Sequence, residues 1–411
     1  MTGSSGASIP ALSVEEERHS RALREFLTAR IRAAGGQISF EQFMEIALYA
    51  PGLGYYSAGS AKIGGDGDFV TAPEISDLFS RCVARQCAQV LVRTGGDILE
   101  LGAGTGRMAA VILETLAELG RLPDRYAILE VSADFAERQR GRLARLPAGV
   151  RERVVWLDRL PERAWRGVVL ANEVLDALPF HRVVIRDGRM LELGVGLSAD
   201  DADPSSGEGA SGATSGAVGA LIEREYPPSD CLASAWDAVA RELPMALPDG
   251  YRTELCPRTG PWIASISDCL ERGVLLLFDY GLPRSHFYHP QRVDGTLLCH
   301  FKQRAHGDPF VNLGVQDITA WVDFTRVAEA AVDANLDVLG FATQAAFLLA
   351  NGIEQLAGAA TNDVDRVRLA GEARRLMMPG EMGESFKVMA LGRHYEASLS
   401  GFEVQDLRRL L

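Results

Sequence analysis

The chain has 411 residues, 47% hydrophobic and 24% charged, with a formal net charge of -13. That composition belongs to a globular protein with material for a sizeable core, as one large domain with insertions or as two. The negative balance argues against a general nucleic-acid binder, and only three lysines (Lys62, Lys302, Lys387) accompany the arginines.

Six cysteines, Cys82, Cys87, Cys231, Cys256, Cys269 and Cys299, form no CxxC pair, so free thiols are expected and no metal site. No apolar run reaches the ~18 residues of a membrane span. The segment "MTGSSGASIP" lacks the basic start and apolar stretch of a signal peptide, and a cytoplasmic protein is expected.

In chain order, residues 1–12 read as a flexible tail. Ser13 with Glu16, and Ser39 with Gln42, make capping boxes that open helices, and Leu78, Phe79, Val83, Val90 and Leu91 mark a third. Residues 13–95 are thus expected to be a helical region, with a Gly- and Asp-rich cofactor-covering loop, "KIGGDGDFVTAPEIS", inside it. Alternation follows. "DILELG", "YAILEV", "RVVWL" and "GVVLANEV" read as strands separated by helical patterns, which predicts a parallel sheet buried on both faces. "HRVVIRDGRMLELGV" reads as a hairpin turning at Asp187-Gly188.

The first part of the core is expected over 96–197, a disordered Gly/Ser/Ala/Asp loop over 198–219 and an insertion over 220–272. The rest of the core, with strands "GVLLLFDYG" and "FKVMALGR", is expected over 273–411 with a substrate-side insertion at 282–345.

The chemistry is concentrated at strand ends. "ELGAGTGR" carries Glu100, Gly102, Ala103, Gly104 and Gly106 where an apolar strand stops. Glycine there weakens a strand unless the backbone takes a special conformation or a ligand approaches closely. In open α/β sheets ligands sit beyond the carboxyl ends of the strands. A dinucleotide fingerprint needs glycine where Arg107 stands, whereas the Glu-x-Gly-x-Gly-x-Gly form is usual for S-adenosylmethionine (SAM) sites.

Glu130 ends the next strand, placed to accept bonds from ribose hydroxyls, and Asp158 ends the third, placed to accept the adenine amino group. In "NEVLDALP", Asn172 is a further cofactor contact, and Glu173 and Asp176 lie beside the reactive methyl as catalytic carboxylates. Thr71 and Glu74 extend the site from the covering loop, Thr71 toward the cofactor and Glu74 as a third acid. The competing readings are a plain turn and helix start at 71–76, a helix cap at Asp176 and a strand-end turn at Asp279-Tyr280-Gly281. His181 and His306 read as structural.

Taken together, "PGLGYYS" (51–57), "GDFVTAPEISDLF" (67–79), "ELGAGTGRMA" (100–109), "NEVLDALPFHRV" (172–183), "DYG" (279–281), "GTLLCHFKQRAHGDPF" (295–310), "GVQDITAWVDF" (314–324) and "MGESFKVMAL" (382–391) resemble the MidA-like family. The resemblance implies an α/β class I SAM-dependent methyltransferase with a Rossmann-like core, an N-terminal helical layer and inserted elements. Mitochondrial members methylate an arginine of a respiratory complex I subunit. It therefore implies SAM as cofactor, S-adenosylhomocysteine as product and a protein-arginine acceptor, possible complex I subunits included. The chain departs from the family pattern at Leu298, where arginine is usual, and at Trp321, where histidine or aspartate is usual. A small-molecule methyltransferase and a SAM-binding assembly factor with little turnover are the alternatives.

Overall fold

A computed structural model describes residues 9–57, 70–162, 164–198 and 219–411. The tail expected over 1–12 and the loop expected over 198–219 therefore lie mostly outside the described residues, as does most of the glycine- and aspartate-rich approach to Thr71. Contacts divide the described chain into two units, each discontinuous in sequence. One gathers described residues of 9–57, 179–257 and 288–320, and the other those of 70–178, 258–287 and 321–411.

The second unit is built on a sheet of β1 (Asp97–Leu101), β2 (Tyr126–Leu129), β3 (Val154–Leu157), β4 (Trp165–Asn172), β5 (Leu270–Leu282), β6 (Val322–Asp323), β7 (Asp337–Thr343) and β8 (Phe386–Arg393). Its order is β7-β8-β5-β4-β1-β2-β3, with the short β6 beside the end of β5. Side chains alternate between two cores. Ile98, Val168, Leu170, Val274 and Leu276 enter one, under the helices Asp77–Thr94 and Arg107–Glu118. Leu99, Val169, Ala171, Leu275 and Leu277 enter the other, with Ile263, Ile266 and Val327 of the helices Thr259–Cys269 and Phe324–Asp333. Burial on both faces is the physical reason these strands read as near-continuous apolar runs.

The sheet is not wholly parallel, as the sequence reading expects. β8 runs antiparallel to both β5 and β7. Helical segments between β7 and β8 bring the chain back to the end of the sheet where β7 left it, so β8 enters in reverse. Among the described residues no helix joins β3 to β4; that link lines a surface crevice of about 310 Å³ with Arg125, Ala127, Val155 and Trp165.

The first unit holds a five-stranded antiparallel sheet and a three-stranded one. The hairpin His181–Arg186/Arg189–Leu197 turns at Asp187 (φ 48°) and Gly188 (φ 72°), the left-handed pair that a two-residue turn of matching twist requires. Gln37–Ser39 pairs with Gly194–Gly196 of that hairpin. The two capping-box helices Val14–Ala33 and Phe40–Tyr49 therefore belong with this sheet, while the Asp77–Thr94 helix belongs with the core.

Several family-like motifs explain themselves here. Glu254 is buried and accepts the amides of Thr296 (2.8 Å) and Leu297 (3.2 Å) and the Thr296 hydroxyl (2.8 Å), which fixes the "GTLL" segment. Tyr56 of "PGLGYYS" donates to Asp317 (3.0 Å) of "GVQDIT". His181 meets Glu192 at 2.6 Å, in keeping with a structural histidine. Leu298 begins the Leu298–Phe301 strand and is half-buried opposite Thr319.

Candidate active site

The glycine turn leaves β1 with Gly102 (φ 67°), Gly104 (φ 51°) and Gly106 (φ 76°) all left-handed, so L side chains are strained at each. At Gly106 an added Cβ would lie 3.2 Å from the Gln139 backbone. At Gly102 it would meet only a Val174 methyl, at 3.9 Å, so the strain and not a crowded protein interior sets that residue.

The turn is held from the Ala133–Leu143 helix. The Gln139 amide donates to the Gly104 carbonyl (3.0 Å) and to the Glu130 carboxylate (2.9 Å), and its oxygen accepts from the Trp156 indole (3.0 Å). One turn on, Arg142 donates to the Thr105 carbonyl (3.1 Å). Gln139 thus joins the glycine turn, the end of β2 and β3, a role that a lone glutamine in an amphipathic helix does not advertise.

Glu130 sits at the end of β2, its other oxygen accepting the Ser132 amide at 2.9 Å. Glu100 lies under the turn, enclosed, with one oxygen taken by the Tyr126 hydroxyl at 2.7 Å. Burial pushes its carboxyl up to about 7, against the Tyr126 hydrogen bond, and the Glu130 charge adds to the rise. Asp158 is exposed at the end of β3 and belongs to the surface crevice lining; no hydrogen bond ties it to the glycine turn.

Thr71 is the N-cap of the short helix Ala72–Ile75, but its hydroxyl makes no capping bond, although the residue is buried. The helix start expected as the plain reading of this segment exists, and it leaves the Thr71 side chain unused. Glu74, expected as a third acid, is engaged with the glycine turn. Thr105 donates its hydroxyl to Glu74, and Arg107 donates to the Glu74 carbonyl (2.7 Å) and lies 3.7 Å from its carboxylate. Glu74 clamps the glycine turn.

At the end of β4, Asn172 donates to Glu173 (3.1 Å), while its own carbonyl oxygen is buried without a hydrogen-bond partner. An orphaned acceptor in such a place is what a ligand ammonium or hydroxyl would satisfy. Glu173 is left-handed (φ 53°), and its amide bonds Phe278 of β5 at 2.8 Å. No helix follows, only a turn, so the capping reading of Asp176 has nothing to cap.

The turn is instead organised by "DYG", which is not a strand-end turn but part of β5, paired with Phe386 and Lys387 of β8. Asp279 accepts the amides of Leu175 (3.0 Å), Asp176 (3.3 Å) and Tyr280 (2.9 Å). The Tyr280 hydroxyl donates to Asp176. Burial pushes Asp176 up to about 6, opposed by Tyr280. Asp279 is raised well above the carboxylate range, by burial first and then by the charges of Asp176 and Glu173. Neither Asp176 nor Asp279 forms an ion pair among the described residues. Sequence reasoning missed Gln139, Asp279 and Tyr280 as parts of the site. Only the apolar strand ahead of "DYG" could have hinted that two polar side chains stay inside the sheet.

The site fits SAM by observation: a left-handed glycine turn, an orphaned acceptor at Asn172 and a strand-end carboxylate at Glu130. Among the described residues no group of His, Cys, Asp and Glu is arranged to hold a metal ion.

Comparison with known proteins agrees. A protein of Burkholderia thailandensis crystallised with S-adenosylhomocysteine is 38% identical, covers 98% of this chain and 100% of its own, and superposes with a TM-score of 0.89. A native structure of a protein from the same organism, also 38% identical, covers the same shares with a TM-score of 0.86. The "Protein arginine methyltransferase NDUFAF7 homolog, mitochondrial" of Drosophila melanogaster is 27% identical, over 93% of this chain and 87% of its own length. The NDUFAF7 protein of Mus musculus is 26% identical, over 87% and 82%. A family model for S-adenosyl-L-methionine-dependent methyltransferases matches residues 82–342, and this chain belongs to that family: it is a class I methyltransferase that uses SAM.

Proposed function

We propose that this methyltransferase modifies an arginine side chain of a protein, and the carboxylate cluster at the ends of β4 and β5 carries the reading. Asp176 and Asp279 are buried beside Glu173 with raised proton affinity and no ion pair of their own among the described residues. A guanidinium is a planar, permanently charged guest with several N–H donors and suits such a cluster. The names of the relatives from Drosophila melanogaster and Mus musculus support it.

SAM supplies an electrophilic methyl group. The chain's own residues align the acceptor nitrogen and exclude water. The backbone of Gly102, Ala103, Gly104 and Gly106 cradles the amino-acid part, with Asn172 and Thr71 as polar contacts and Glu100 beneath. Glu130 accepts the ribose hydroxyls and Asp158 the adenine amino group. Glu173 and Asp176 hold the guanidinium, and Asp176 takes its proton. Glu74 contributes by clamping the turn.

The test is methyl-labelled SAM incubated with total protein from source cells lacking this gene, followed by mass spectrometry of labelled bands. Labelled arginine is the expected result. The family resemblance makes a respiratory complex I subunit the first acceptor to examine. Label on lysine or on a small molecule overturns the assignment, and tight SAM binding with no label favours an assembly factor.

A further inference from the structure

We propose that Tyr280 is a positioning residue of methyl transfer, whose hydroxyl aims the Asp176 carboxylate at the acceptor nitrogen and keeps it ionised. The inference rests on the proposed role of Asp176 as proton acceptor. The sulfonium carbon–sulfur bond breaks with its electron pair left on sulfur, and a guanidinium nitrogen forms the new bond with its own pair. One N–H proton then passes to Asp176. That carboxylate must therefore be charged and correctly turned before the step.

The geometry separates the hydroxyl of Tyr280 from its ring. The ring is held by packing, edge-on to Phe386 with centroids 5.3 Å apart. The backbone is held by the β5–β8 ladder, and Gly281 next to it leaves room for Val322 of β6. Neither fixture involves the hydroxyl, which donates to Asp176. Asp279 fixes the Asp176 main chain from the same strand, and the Tyr280 hydroxyl is the side-chain donor that turns the carboxylate.

Burial favours protonation of Asp176, opposed first by the Tyr280 hydroxyl and then by the backbone amides of Ala177 and Asp176 itself. Glu173 stands on its own turn and Asp279 on β5, both carboxylates that offer it no countercharge. Lys387, opposite Asp279 on β8, directs its ammonium to the carbonyls of Glu384 and Ser385. A hydrogen bond to the charged form is what lowers proton affinity in such surroundings. The Tyr280 hydroxyl supplies the largest of them.

Tyr280→Phe tests this, because it keeps the ring packing and deletes the donor. With aspartate carboxyl carbons labelled and Asp176 assigned by loss of its signal in Asp176→Asn, NMR should show the Asp176 midpoint rising in Tyr280→Phe by about one pH unit. Methyl transfer to the labelled acceptor should fall about fivefold near pH 6 and recover largely by pH 9, with SAM affinity by calorimetry unchanged. A midpoint and pH profile that superpose on the wild type overturn the inference. If no arginine is labelled by the wild-type protein, the proposed function falls, while the NMR arm still judges Tyr280 alone. Loss of SAM affinity in Tyr280→Phe would also overturn it, by showing that the hydroxyl supports the fold.

Discussion

Glu254 in one unit and Asp279 in the other do the same local job in opposite electrostatic settings. Each is a buried carboxylate that collects backbone amides and so fixes an irregular segment. Around Glu254 the rise caused by burial is opposed by the nearby Arg182 charge and by the Thr296 and Leu297 donors. Around Asp279 the neighbouring charges are those of Asp176 and Glu173, which add to the rise. The balanced setting suits a carboxylate that holds structure, and under the proposed function the like-charged cluster is where the guanidinium is received.

The same amide swap in both units is the sharpest way to break this comparison. Asp279→Asn puts a donor against backbone N–H groups and shifts the turn carrying Glu173 and Asp176. Methyl transfer should fall about a hundredfold, since displacements near 1 Å cost that much, with SAM affinity within a few-fold of wild type. Full turnover in a steady-state assay would reduce Asp279 to a second Glu254.

Next in size is the pH dependence of stability set by Glu100. Its folded value, about 7, stands above the ordinary glutamate value of 4.5, so between those values the folded state keeps a proton that the unfolded state has lost. Stability contributed by that bound proton is complete below 4.5 and is lost as pH rises toward 7. The loss has an upper bound of ~3 kcal/mol. Glu100→Gln should flatten this part of the curve in urea unfolding measured from pH 4 to pH 8. An unchanged slope would mean that another group carries it.

Gly106→Ala should cost about 2 kcal/mol in thermal unfolding and weaken SAM binding at least tenfold, because a left-handed backbone meets a Cβ facing Gln139. Normal calorimetric affinity would separate the turn conformation from cofactor binding.

The smallest effect is expected from Glu254→Gln, about 1 kcal/mol of stability with no change in SAM affinity or in the pH profile of methyl transfer. A shifted profile would erase the distinction between the two carboxylates.

Much of the core was legible because its signals are local. The capping boxes at Ser13 and Ser39, the turn at Asp187-Gly188 and the strand-end glycines each act within a few residues, and the structure shows all of them. The partners of those glycines were not legible. Gln139 reaches Gly104 across 35 positions, and Tyr280 reaches Asp176 across 104. Nothing in periodicity or propensity links residues so far apart.

By itself the sequence determined the alternating core, the glycine turn and the cofactor, because strand burial, helix caps and φ preferences depend on neighbouring residues. The tertiary structure alone decided that 9–57 packs with the inserted sheet, that β8 runs backwards, that Glu74 clamps the turn and that β5 organises the carboxylates. Those outcomes depend on which distant segments close against one another, and the free energy of that closure belongs to the packed sheet as a whole.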